Sequence, residues 1–228
     1  APFVCDAEAQ LRAQIKTNKK VLAEGAQGSL LDIDHGTYPF VTSSNTILGG
    51  ACASLGLGAK TINKVYGVAK AYITRVGEGP MPTELNDEIG KHIADVGKEK
   101  GATTGRPRRC GWLDLVALRY AIDVNGCDSI ILNKLDVLNG LDEIKVAIAY
   151  QHPKLGEITQ LPWDWHVIRD CKPVYRSFAG WKCELPESGK ISDLPQAARD
   201  YVAAVSELCQ IPIEMVGTGV HRHSALFI

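Results

Sequence analysis

The run from Leu113 to Asn133 constrains the fold more than any other stretch of this 228-residue chain. Val116, Ala117, Tyr120, Ala121 and Val124 recur at helical spacing, which predicts a helix over about residues 113–125. Gly126 stands where a left-handed cap would end it. Ser129-Ile130-Ile131-Leu132-Asn133 then reads as a buried strand. A helix that turns through glycine into an apolar strand is a building unit of α/β folds, and it predicts a mostly parallel sheet flanked by helices.

The rest of the chain is read around that unit. A helix is predicted over Ala7 to Asn18, ended by a polar run, and a short buried strand over Val21 to Ala23. Glu24 to Gly50 is rich in Gly, Ser, Thr and Asn and reads as loops that carry function. A strand is predicted over Lys64 to Thr74, broken by Gly77-Glu78-Gly79-Pro80. Leu85, Ile89, His92, Ile93 and Val96 predict a helix over about residues 83–98. After Asp142 come four strand-like pieces: Val146–Tyr150, Glu157–Leu161, His166–Arg169 and Val174–Phe178. Trp163 and Trp165 would alternate on a strand as packing residues. A last helix is predicted over Leu194 to Gln210, capped by Ser192 or Asp193. The expected organisation is an α/β portion over residues 1–142 and a β-rich subdomain with a C-terminal helix and tail over 143–228.

Charge and composition exclude whole classes of partner. Lys and Arg number 25 against 26 Asp and Glu, so no broad basic footprint exists for nucleic acid or an anionic membrane. No apolar run reaches the roughly 18 residues of a membrane helix. The start APFVCDAEAQ lacks the regions of a signal peptide, and seven Cys without paired spacing read as reduced thiols, so a cytoplasmic location is expected. The chain opens at Ala1 without Met beside a predicted helix, which reads as a fragment of something longer.

Three motifs carry chemistry. Asn133-Lys134-Leu135-Asp136 follows the buried strand directly. Guanine presents N1–H and an exocyclic amine side by side, and one carboxylate accepts both, whereas adenine offers no such pair. Lys134 could lay its stem along the base or ribose; a strand-ending turn with solvated charges is the plain alternative. Thr103-Thr104-Gly105-Arg106-Pro107-Arg108-Arg109 places three Arg within four residues of a loop, a pattern suited to a small anion. A solvated basic loop is the competing reading, and a nucleic-acid contact is disfavoured by the neutral charge. Glu24–Ser29, Asp32–Pro39 and Val41–Asn45 combine glycines with Gln27, Thr42 and Ser43, which offer neutral hydrogen bonds to a base or phosphate. Asp32, Asp34 and His35 suggest a metal, but such a cluster is more often structural. The Gly-x-x-x-x-Gly-Lys-Ser/Thr phosphate loop and the Gly-x-Ser-x-Gly elbow are absent from the sequence. His221 and His223 read as surface residues, and Cys171 and Cys183 lack zinc-site spacing.

Taken together, EGAQGSLLDIDHGTYPFVTSSNT, VGEGPMPTEL, TTGRPRRCGWLD, NKLDVL and Val216-Gly217-Thr218-Gly219 resemble the adenylosuccinate synthetase family, and only its C-terminal half. The resemblance implies a P-loop-NTPase-like α/β fold and GTP-dependent ligation of IMP to L-aspartate. GTP phosphorylates the 6-oxygen of IMP, and the aspartate amine then displaces that phosphate. By similarity, Gln27, Thr42, Val76 and Arg106 contact IMP. Ala102, Thr103, Thr104, Gly105, Arg106, Pro107 and Arg108 form the aspartate loop. Arg108, Lys134, Leu135, Asp136, Gly217, Thr218 and Gly219 contact the GTP. The general base, the acid and the magnesium ligands fall in the family's other half, so no catalytic or metal residue is assigned here. A homodimer is implied for the full-length protein. An alternative reading is a non-catalytic guanine-nucleotide-binding module. A half-chain is also expected to expose strand edges and apolar surface.

Overall fold

The structure, a computed structural model, describes residues 2, 4–101 and 105–228. They form two compact units, Ala1–Asn63 and Lys64–Ile228.

The first unit contains α1 (Ala7–Lys16) and α2 (Leu48–Leu55). Asp6 caps α1 by accepting from the Ala9 amide at 2.9 Å. The loop between the helices is organised by one carboxylate rather than by apolar packing. Asp32 is fully buried; its Oδ1 accepts from the amides of Asp34 and His35 at 2.9 and 3.0 Å. Its Oδ2 accepts from those of Thr46 and Ile47 at 2.5 and 3.2 Å. Those bonds make Asp32 structural. Among the described residues of this unit, only Asp32 and Thr37 are buried. The strand expected at Val21–Ala23 does not form, and Leu22 is 85% exposed.

Among its described residues the second unit holds ten strands and four α-helices. The strands are β1 (Tyr66–Lys70), β2 (Tyr72–Arg75), β3 (Arg109–Asp114), β4 (Ser129–Asn133), β5 (Glu143–His152), β6 (Gly156–Ile158), β7 (Lys172–Ala179), β8 (Ser188–Lys190), β9 (Ile213–Gly217) and β10 (Ala225–Phe227). The helices are α3 (Glu88–Val96), α4 (Leu115–Asn125), α5 (Trp165–Asp170) and α6 (Gln196–Cys209). One sheet runs β1-β4-β9-β10-β8, parallel throughout except for β9 with β10. The other runs β2-β3-β5-β6 with β7 also on β5, and only β3 with β5 is parallel. The α/β expectation holds, but the mostly parallel description fits the first sheet alone.

The single strand predicted over Lys64–Thr74 is two strands in different sheets. Ala71 is the hinge: it is fully buried, its amide donates to the Asn133 carbonyl at 2.8 Å, and its carbonyl accepts from the Tyr201 hydroxyl at 2.6 Å. The residues after 142 likewise make no sheet of their own, because β5 pairs with β3 and β9 with β4. Helix starts are set by acidic caps. Asp87 accepts from Gly90 and starts α3 at Glu88, leaving residue 84 bridged to Gly111 of β3. Asp114 accepts from Val116 and Ala117, and Gly126 ends α4 at φ 57°. Asp164 accepts from His166, which makes a helix where a strand was expected; Trp163, just before it, is 93% exposed. At α6 the expected cap is displaced to Pro195, while Asp193 accepts from the Lys190 amide. The core lies between the sheets and helices around Ile93, Leu115, Leu132, Leu138, Ile144 and Tyr201, each almost fully buried. Each such side chain contributes about 1.5–3 kcal/mol on burial.

Candidate functional site

Three parallel strands, β1, β4 and β9, end at one edge of the first sheet, with Lys70 opposite Asn133 and Leu132 opposite Val216. Ligands in α/β sheets gather outside such carboxyl ends. The chain leaves β4 through Lys134, which takes a left-handed backbone at φ 63°. It then enters a short 3-10 turn, Leu135–Leu138, anchored by buried Leu135, Val137 and Leu138. That anchoring holds Asp136 in place. Its Oδ1 is buried and has no hydrogen-bond partner among the described residues. Burial accordingly pushes the Asp136 carboxyl above its usual range, against the pull of its own backbone amide and of the Lys134 charge.

The end of β9 packs against that turn. Gly217 packs closely there, since a Cβ would come within 2.5 Å of the Asn133 Oδ1 and that side chain would have to shift. Thr218 is buried; its amide donates to the Ser224 carbonyl at 3.0 Å and its hydroxyl to the Pro186 carbonyl at 2.8 Å. Gly219 follows, exposed.

The Arg-rich loop springs from a narrow stem. Lys100 and Pro107 form an isolated antiparallel bridge, the Gly101 amide donates to the Arg106 carbonyl at 2.8 Å, and the Arg108 amide donates to the Glu99 carbonyl at 3.0 Å. Gly105 sits at φ 64°, and Arg106 and Pro107 are exposed. Ala102, Thr103 and Thr104 lie outside the described residues. The three arginines divide. Arg109 turns inward to a bidentate pair with Glu84, at 2.7 and 2.5 Å, and donates to the Gly79 carbonyl at 2.8 Å. Arg108 pairs with Glu99 at 2.7 Å. A cleft of about 480 Å³ borders this stem, lined in part by Asp87, Lys91, Pro107 and Arg108.

Glu99 is the residue that sequence reasoning missed. Lys98 takes φ 50° after α3 and turns Glu99 into the interior, where it is 2% exposed. Its carboxylate accepts from Lys70 at 2.8 Å, from the Tyr72 hydroxyl, from Arg108 at 2.7 Å and from Lys134 at 3.1 Å. Burial alone would raise this carboxyl, but the bonds from Lys70, Tyr72 and Arg108 overcome it and hold the group down to about 2. Lys70 moves the other way: burial lowers its ammonium, and Arg108 and Lys134 add repulsion against the pull of Glu99. One carboxylate faces three cations and leaves a positive surplus. The only sequence signal for it was an acid just before the Arg-rich loop, inside a run that reads as a solvated helix end.

The remaining predicted residues are placed as follows. Gln27 is exposed at φ 61° and Thr42 donates its amide to the Leu31 carbonyl at 2.8 Å, both in the first unit. Val76 follows β2 and is 44% exposed. The second unit thus brings together Lys134, Leu135, Asp136, the Gly217–Gly219 segment and, through Glu99, Arg108. Among the described residues no three His, Cys, Asp or Glu side chains are grouped to hold a metal, and no helix is long and apolar enough to cross a membrane. The seven cysteines are free thiols.

Comparison with known proteins gives this geometry a family. The family model described as adenylosuccinate synthetase matches residues 1–226. Adenylosuccinate synthetase of Synechococcus sp. (strain JA-2-3B'a(2-13)) is 51% identical over 227 residues, covering 100% of this chain and 50% of that protein. The one from Prochlorococcus marinus (strain MIT 9215) is 50% identical over 225 residues, covering 99% and 51%. A fully ligated adenylosuccinate synthetase from Plasmodium falciparum has a TM-score of 0.95 at 41% identity, covering 99% of this chain and 54% of that one. A cyanophage S-2L succinoaminodeoxyadenylate synthetase, at TM-score 0.57 and 20% identity, shares the fold alone. The chain therefore spans about half the length of the relatives it matches. On the motif strings, the paired sheets and the near-complete family match, this chain belongs to the adenylosuccinate synthetase family.

Proposed function

We propose that this chain supplies the guanine, aspartate and part of the IMP contacts of a GTP-dependent ligase that joins IMP to L-aspartate. The observation that carries the reading is the partnerless, buried Asp136 oxygen at the carboxyl end of three parallel strands. A carboxylate held out of water with nothing to accept is costly unless a ligand donor completes it. Guanine's N1–H and exocyclic amine supply that donor pair. Lys134 lies along the base or ribose, Leu135 and Gly217–Gly219 wall the pocket, and Arg108 reaches the nucleotide. Thr103, Thr104 and Arg106, with Ala102, Gly105 and Pro107 shaping the loop, receive the aspartate carboxylates. Gln27, Thr42, Val76 and Arg106 receive IMP.

Phosphoryl transfer rests on positioning and on stabilising charge at phosphate oxygens. The general base, the acid and the magnesium ligands of this reaction belong to the half of the relatives that the chain does not span. Asp32 spends its oxygens on backbone amides of its own loop. In the full-length protein the site belongs to a cytoplasmic homodimer. Titration calorimetry of the chain with GDP and ADP tests the reading. Binding of GDP with at least a tenfold preference over ADP is expected; equal or absent binding overturns it. A second reading, a guanine-binding module without catalysis, is favoured by the placement of every guanine-side residue in one unit. GDP binding combined with no ligation after addition of the missing half would select it.

A further inference from the structure

We propose that Glu99 is a positioning residue that sets the Lys134 ammonium and the Arg108 guanidinium as one coupled pair, so that the turn after β4 and the Arg-rich loop are registered against each other. The inference rests on the functional reading above for the ligands of those two groups and not for the coupling itself.

The geometry is specific. Glu99 holds Arg108 twice, by its carbonyl at the Arg108 amide and by its Oε2 at the Arg108 Nη1. It holds Lys134 by Oε1, while the Gly97 carbonyl takes a second ammonium proton at 2.6 Å. A carboxylate oxygen offers about two lone-pair sites. Oε1 nevertheless faces three donors, Lys70, Tyr72 and Lys134, and Lys134 is the most distant at 3.1 Å. Tyr72 is almost fully buried and fixes the carboxylate from below, and Lys70 is held a second time by the Thr74 hydroxyl at 2.8 Å. Lys134, at the longest of these distances, is therefore the member of the cluster that a ligand can draw away from the crowded Oε1, while the Arg108 pair stays on Oε2. The Lys134 side chain is 35% exposed and that of Arg108 29%, so both reach solvent from one carboxylate that does not. No other acidic side chain is placed to link the two loops among the ion pairs of the described residues.

The test reads the side chains directly in the 228-residue chain. Proton exchange and 15N shift of the Lys134 ammonium are followed by NMR in the parent, Arg108→Ala, Glu99→Gln and Glu99→Asp chains, with GDP affinity measured on each. Coupling predicts that Arg108→Ala slows Lys134 ammonium exchange severalfold, because loss of the repelling guanidinium leaves more of the Glu99 charge to Lys134. Glu99→Gln should speed that exchange at least tenfold, and Glu99→Asp, which keeps the charge but cannot span both partners, should give an intermediate rate. GDP affinity should fall about tenfold in both Glu99 variants. An ammonium signal that Arg108→Ala leaves unchanged overturns the proposal, and this arm needs no Glu99 variant to fold. If the coupling appears and the parent chain binds no GDP, the functional reading falls and the positioning role stands. If GDP binds and the coupling is absent, the positioning role alone falls.

Discussion

Glu99 and Asp136 place two carboxylates of one unit in opposite settings, and each leaves its own mark on pH dependence. Glu99 is buried but over-supplied with donors, and its carboxyl is held at about 2 against an ordinary 4.5. Because the folded value is depressed, the stabilisation is present above the unfolded value and is lost as pH falls through the folded one. A shift of that size corresponds to about 3 kcal/mol, lost between about pH 4.5 and 2. Urea denaturation of the parent and the Glu99→Gln chain across that range should show the parent's advantage shrinking as acid is added. Asp136 has the opposite sign. Burial raises its carboxyl, so the folded state favours the protonated form and the cost is present at neutral pH. Asp136→Asn should leave the chain at least as stable at pH 7 while weakening GDP about 10–100-fold, since a charged acceptor is worth roughly 1.5–3 kcal/mol. Calorimetry and denaturation on the same sample check both halves of that expectation.

At the scale of elements, rigidity differs sharply between the two units. In α1 no residue is buried, so its amides are protected by little more than the helix itself. In α4, Leu115, Val116, Ala117 and Ile122 are buried and Asp114 caps the start. Hydrogen exchange should therefore release the amides of α1 orders of magnitude before those of α4. Gly180, just past β7, is another element-level constraint. Its amide donates to the Asp142 carbonyl at 2.9 Å, and an added Cβ would run into the Leu141 carbonyl. That clash is with backbone, so no side-chain rotation relieves it. Gly180→Ala should cost roughly 1–3 kcal/mol in denaturant midpoint, with the damage centred on the pairing of β5 with β7.

At the scale of the molecule, the chain matches about half the length of its relatives. Its sequence contains no Gly-x-x-x-x-Gly-Lys-Ser/Thr phosphate-loop motif. The 228-residue chain on its own should form no adenylosuccinate from IMP, aspartate, GTP and magnesium within the detection limit of a coupled absorbance assay. Formation at a family-like rate would show that phosphate chemistry resides here after all. The sheets leave apolar side chains outside, among them Val68 at 69% and Tyr66 at 45% on β1, the terminal strand of its sheet.

How far this was legible from residues alone depends on the range of the forces involved. The α4–β4 unit was readable because its signals are local: a helical period, a glycine that tolerates positive φ, and a short apolar run. Asp136 was readable because a strand end and a four-residue motif are contiguous. Boundaries shifted where an acid capped a helix, as Asp87, Asp114 and Asp164 do. Two features belonged to tertiary structure alone. Ala71 divides one predicted strand between two sheets because a tyrosine 130 residues away and the end of β4 claim its backbone groups. Glu99 gathers Lys70, Tyr72, Arg108 and Lys134, which lie on three separate stretches of chain, and no local pattern encodes that meeting. The sequence by itself determined the family motifs and the α4–β4 unit, because periodicity and turn chemistry act between near neighbours. The folded chain alone decided the sheet partition and the charge cluster, because long-range pairing and burial set which distant groups share one low-dielectric space.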